Sequence, residues 1–127
     1  MRDERILFVS WTTAGRAPCI NIGLKSFLER FLPAAARHHN VRILSMQVVA
    51  EQVSIILGMP HFMPAVRLVR SFKDLSAQLA NRDARLAGLG LRWEPGFRAL
   101  TVDPATLDGL LGRAEGGATV AKRKLMS

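Results

Sequence analysis

The sequence predicts an α+β domain, one antiparallel sheet with its helices on one face and a short C-terminal helix at the end. Three observations carry this. Runs rich in β-branched and aromatic residues alternate with stripes of apolar residues at helical spacing. Gly and Pro fall between these segments for the most part, as punctuation. The chain has 127 residues, 49% hydrophobic and 22% charged, which suits one globular domain with an ordinary core.

Residues 5–13, Arg-Ile-Leu-Phe-Val-Ser-Trp-Thr-Thr, contain no breaker and read as a buried strand. Turn chemistry follows at Ala14-Gly15-Arg16-Ala17-Pro18. Asn21 is placed to cap a helix whose Leu24, Phe27, Leu28, Phe31 and Ala35 form one stripe. Pro33 is expected to kink or distort that helix, and His38 and His39 close it, where positive charge suits the helix dipole. Residues 41–57 are too long for one strand and predict a hairpin turning near Ala50-Glu51. Gly58, Pro60 and Pro64 then break the chain, with Pro64 expected as the first residue of a second helix. Val66, Val69, Phe72, Leu75 and Leu79 form the expected core stripe of that helix, with Arg67, Arg70 and Lys73 off it. A connection from Asn81 to Leu91 leads to a last strand, Phe97 to Val102. Asp103-Pro104 then begins a short third helix with Leu107, Leu110, Leu111 and Ala114 on one face. The order strand, helix, strand, strand, helix, strand opens as the split β-α-β pattern of ferredoxin-like folds. The folded domain is expected over residues 1–115, with a basic flexible tail over 116–127.

Eighteen Lys and Arg oppose ten acids, a net charge of +8, which favours a polyanionic partner through counterion release. The lone Cys19 permits no internal disulfide and no cysteine metal cluster, so a reducing, cytoplasmic setting is expected. The apolar stretch after Arg2, Asp3, Glu4 and Arg5 is too short for a leader or a membrane span. No phosphate-binding loop, dinucleotide fingerprint or zinc-spaced Cys/His set is present. His38 and His39 are helix neighbours whose side chains diverge, and His61 stands alone in a proline-rich loop. Trp11 and Trp93 read as core or sheet-face aromatics rather than as platforms for stacked bases. No cofactor and no metal is expected.

Four segments in order resemble the insertion-sequence-200-like, single-tyrosine transposases. Glu51-Gln52-Val53-Ser54-Ile55-Ile56-Leu57 is similar to the family's strand Asp/Asn-His-Val-His-Leu-Leu-Val, and Arg42-Ile43-Leu44-Ser45-Met46 to the strand before it. Val66-Arg67-Leu68-Val69-Arg70-Ser71-Phe72-Lys73 resembles its Leu-Val-Arg-Ser helix, and Trp93-Glu94-Pro95-Gly96-Phe97 the entry to its final strand. The resemblance runs from about residue 5 to residue 115. It implies a fold in which two histidines at i and i+2 hold a divalent metal, a tyrosine on the C-terminal helix attacks the DNA phosphate, and a glutamine one turn on completes the metal site. In this sequence the histidine positions are Gln52 and Ser54, the tyrosine position is Leu110 and the glutamine position is Ala114. The chain contains no tyrosine at all, which excludes covalent tyrosine catalysis. Ser54 and Thr106 lack an adjacent base to replace it.

These readings predict a transposase-like protein that binds nucleic acid, hairpin or single-stranded DNA, without cutting it. Arg67, Arg70, Lys73, Arg82, Arg85 and Arg92 are the candidate contacts. The resemblance also implies a homodimer. The alternative is an interaction or scaffold module, or a recruited regulatory relic that binds RNA.

Overall fold

The computed structural model describes residues 4–83 and 90–103. Strands β1 (Glu4–Thr12), β2 (Arg42–Val49), β3 (Gln52–Pro60) and β4 (Arg98–Thr101) alternate with helices α1 (Ile22–His38) and α2 (Ala65–Arg82). The sheet order is β2-β3-β1-β4, with every neighbouring pair antiparallel. β1 and β2 are therefore parallel with β3 inserted between them, and β3 and β4 with β1 inserted, the expected split β-α-β arrangement. The third helix expected over 107–114 and the tail over 116–127 lie outside the described residues.

Period-two alternation divides the sheet into two faces. Leu7, Val9 and Trp11 of β1 join Val53, Ile55, Leu57 and Met59 of β3 against Leu24, Leu28, Leu32 and Ala36 of α1 and Leu68, Val69, Phe72 and Ala80 of α2. Phe8 and Ile56 point the other way and pack with Val102. β3 is buried along all but its last residue, as suits a strand with neighbours on both sides and a near-continuous apolar run.

Helix α1 starts where Asn21 predicts: its side chain accepts a 2.9 Å hydrogen bond from the Leu24 amide. Asn21→Ala is expected to cost about 1 kcal/mol, read as a lowered midpoint in urea at unchanged slope. The helix runs through Pro33 to a capped end. Asn40 adopts φ 59°, and the amides of Asn40 and Val41 reach the carbonyls of Arg37 and Ala36 at 3.1 and 2.9 Å. This is a Schellman closure with asparagine in the left-handed position, sealed by buried Ala36 and Val41. His39 sits edge-on to Phe72 at 6.5 Å, so this histidine packs between the two helices.

The hairpin turns at Ala50-Glu51 as expected, with Val49 paired to Gln52. The turn needs no glycine because neither Ala50 nor Glu51 adopts a positive φ, and its carbonyls accept from neighbours: the Ala50 oxygen from the Ile20 amide and the Glu51 oxygen from the Thr13 amide, both at 3.0 Å.

Three expectations are corrected. Gly58 and Pro60 do not break the chain after residue 57; β3 continues through them to Pro60. Gly58 lies beneath a two-point ion pair from Arg42 to Glu4 (3.0 and 2.6 Å), and a Cβ there would come within 2.8 Å of the Glu4 carboxylate. The glycine makes room for a cross-sheet contact. In α2, Pro64 is the N-cap and not the first helical residue, and the core stripe is rotated. Val66, Leu75 and Leu79 are exposed, whereas Leu68, Val69, Phe72, Ser76 and Ala80 are buried. The buried set advances mainly by four residues, and small Ser76 and Ala80 let the helix approach its neighbours closely. Ser76 also accepts the Trp93 indole N–H at 3.0 Å while donating to the Lys73 carbonyl.

Candidate nucleic-acid interface

On the sheet face opposite the helices, a polar patch crosses all four strands. Ser54 of β3 lies between Ser10 of β1 and Gln47 of β2, and Ser10 is paired on its other side with Arg98 of β4. Gln52 faces Thr12. Gln52 and Ser54, two residues apart, share this face, and the Gln52 amide donates to the Ser54 hydroxyl at 3.3 Å. Ser10, Gln52 and Ser54 are all buried, an arrangement that requires hydrogen-bonding partners.

Beyond the end of β1, the chain makes a tight 3-10 turn over Ala14–Arg16. Thr13 anchors it, fully buried, with its hydroxyl donating to the Ala17 carbonyl at 2.7 Å. The Ala14 amide donates to the Arg92 carbonyl, and the Gly15 amide to the Glu94 carboxylate, both at 2.9 Å. Gly15 and Arg16 both adopt left-handed backbone, φ 62° and 55°. Such a conformation costs an arginine about 1 kcal/mol, so the surrounding bonds hold it there. The facing loop is equally tied. Lys73 of α2 donates to the carbonyls of Glu94 and Gly96, both at 2.7 Å, and Asn81 exchanges two hydrogen bonds with the backbone of Leu91. Burial pushes the Lys73 ammonium below its ordinary pKa, against the opposing pull of Asp74 and Glu94.

Between turn and loop opens a cleft of about 210 Å³. Its floor is Ser10, Thr12 and Gln52, its charged walls are Arg16 and Arg98, and Pro95-Gly96-Phe97 close one side. A second cleft of about 300 Å³, containing Arg70, Lys73 and Asp74, uses the other side of the same three-residue loop. Among the described residues, no acidic side chain lines the first cleft.

The structure separates the basic residues singled out from sequence. Arg67, Arg70 and Arg82 are exposed on α2, Arg92 is exposed in the loop before Trp93, and Lys73 is occupied in fixing that loop. Arg85, Leu110 and Ala114 lie outside the described residues. Of the described members of the set, Arg70 and Lys73 line a common cleft. Arg16 and Arg98, brought together by the fold, were not among the candidates. Arg98 could have been found from strand alternation, but Arg16 has no signal in the sequence beyond a turn. Trp11 is 2% exposed and meets Trp93 edge-on at 5.9 Å, so it belongs to the core.

The family profile described as Transposase IS200 like matches residues 6–111. The chain belongs to the IS200-like transposase family. Solved structures agree on the fold of this IS200-like transposase. A candidate transposase of Deinococcus radiodurans R1 superposes with a TM-score of 0.70 at 18% identity, over 91% of this chain and 92% of its own. A REP-associated tyrosine transposase bound to a REP hairpin gives 0.63 at 14% identity, over 89% of this chain and 68% of its own. No curated protein matches the sequence.

The family implies a divalent metal. Gln52 and Ser54, which the resemblance places at the histidine positions, offer an amide and a hydroxyl that bond to one another. Among the described residues, no three His, Cys, Asp or Glu side chains converge. Neutral oxygens without a carboxylate or imidazole beside them bind divalent metals weakly. The described residues do not fit the metal.

Proposed function

We propose that this member of the IS200-like transposase family binds folded nucleic acid, hairpin DNA in particular, and does not cleave it. The observation that carries the reading is a net charge of +8 on a transposase fold that contains no tyrosine. A positive surface supplies affinity for phosphates irrespective of chemistry, whereas covalent strand transfer by this family needs a phenolic nucleophile. Gln52 and Ser54 at the metal positions, and Leu110 and Ala114 at the tyrosine and glutamine positions, complete the inactive assignment. The REP hairpin held by the structurally similar tyrosine transposase supports the choice of ligand. Exposed Arg67, Arg70, Arg82 and Arg92 supply backbone contacts, as does Arg85.

A mobility-shift series across a hairpin, a duplex and a single strand of the same length tests this. The hairpin is expected to be retarded at the lowest protein concentration. Equal retardation of all three would remove the hairpin preference, and retardation of none would remove the function.

A second reading rests on β4. Among the described residues it is an edge strand, and its four residues are all exposed, including Leu100 at 52%. An open edge is a pairing surface, and it supports the homodimer. Dimerisation without nucleic-acid binding would make the protein an interaction module.

A further inference from the structure

We infer that the cleft between Arg16 and Arg98 binds one phosphate group of a nucleic-acid strand without a divalent metal, with the two guanidinium groups providing the positive charge. The inference rests on the nucleic-acid-binding reading above and assigns it a site.

The donor set makes the case. A phosphate bound in a site without metal needs fixed cations and hydrogen-bond donors, and arginine supplies both in a planar fork matched to phosphate oxygens. Arg16 and Arg98 stand on opposite chain segments around a floor of Ser10 and Thr12 hydroxyls and the Gln52 amide. The Ser10 and Thr12 hydroxyls can donate, the Gln52 amide already donates to the Ser54 hydroxyl, and none of the three carries a charge that would repel an anion. Both arginines are exposed, and neither forms an ion pair with a described acid. Glu94, in the facing loop, accepts a hydrogen bond from the Gly15 amide. A volume of about 210 Å³ holds a phosphodiester with several waters, a water occupying about 30 Å³ of liquid.

The placement of Arg16 is built. Its residue is held in left-handed backbone by a turn fastened to Arg92, Glu94 and Thr13. Arg98 is set by its register opposite Ser10. The second cleft shares the Pro95–Phe97 loop, and there Arg70 offers a further cation beside Lys73 and Asp74. The Gln52–Ser54 pair that does not suit a metal suits this role, because the Gln52 side chain is oriented by its bond to the Ser54 hydroxyl.

Fluorescence anisotropy with a labelled DNA hairpin tests the site, using wild type, R16Q, R98Q and K25Q. K25Q removes one positive charge from α1, where Lys25 pairs with Glu29, away from the cleft. Affinity in EDTA and in magnesium at matched ionic strength is expected to agree within about twofold, as direct arginine contacts require no metal. R16Q and R98Q should each weaken binding about tenfold and reduce the slope of log K against log salt by about 0.9, while K25Q changes it less than about twofold. Thermal melts confirm that the variants fold. Inorganic phosphate alone should bind far more weakly than the hairpin; phosphate binding as tight as the hairpin would assign the cleft to the free ion and overturn the proposal. A wild type that binds hairpin while R16Q and R98Q behave like K25Q overturns this site and leaves the broader function standing. Binding that requires magnesium also overturns it. A wild type that binds no nucleic acid overturns both.

Discussion

Raising monovalent salt from 50 to 200 mM is expected to weaken hairpin binding about a hundredfold, if four arginines each neutralise one phosphate at a slope near 0.9 per contact. The four with the best claim are Arg16 and Arg98 in the cleft and Arg67 and Arg70 on α2, all exposed. The effect is large because it is entropic, arising from condensed counterions that return to bulk. Sequence-independent binding through scattered charge would show the slope without the hairpin preference. A flat dependence over this range would mean that the +8 charge is an inert solvated surface. Anisotropy titrations at four or five salt concentrations measure the slope directly.

Trp11→Ala is expected to destabilise the fold by about 3–5 kcal/mol, a large share of the about 5–15 kcal/mol that keeps a domain of this size folded. The side chain is 2% exposed on the helix-covered face of the sheet near the end of β1, so its removal leaves a cavity in the core. It also meets Trp93 edge-on at 5.9 Å, and Trp93 is in turn fixed by Ser76 and by its bridge to Thr13. Loss of Trp11 therefore loosens the loop that carries Pro95 to Phe97, and with it one wall of both clefts. Trp11→Phe should cost much less, because the indole N–H finds no acceptor among the described residues and little polar interaction is lost with it. Urea denaturation of the two variants measures the difference. Equal losses would place the contribution in the indole rather than in filled volume.

The topology was legible because the strands carry β-rich runs and each helix an apolar period. Asn21 announced its cap, and Ala50-Glu51 its turn through the length of the run alone. What failed depended on contacts between distant segments. Gly58 reads as a breaker until Glu4 and Arg42 are seen to cross above it. The buried stripe of α2 includes Ser76, whose polarity argued against a core position until Trp93 supplied its partner. Lys73 looked like a free surface cation, yet it holds the 94–96 backbone in place. The cleft was invisible for the same reason. Arg16 and Arg98 are 82 positions apart, and only the β1–β4 pairing and the turn after β1 bring them to one opening. Gln52 and Ser54, by contrast, share a face by strand geometry alone, and that much was readable at i and i+2.

The central claim is retention of nucleic acid without cleavage. Incubating an end-labelled DNA hairpin with excess protein and manganese, then dividing each sample between a native and a denaturing gel, tests it most directly. The hairpin is expected to be retarded on the native gel and to remain full length, free of attached protein, on the denaturing gel. A shortened or protein-linked strand, or a hairpin that is not retarded at all, would contradict it.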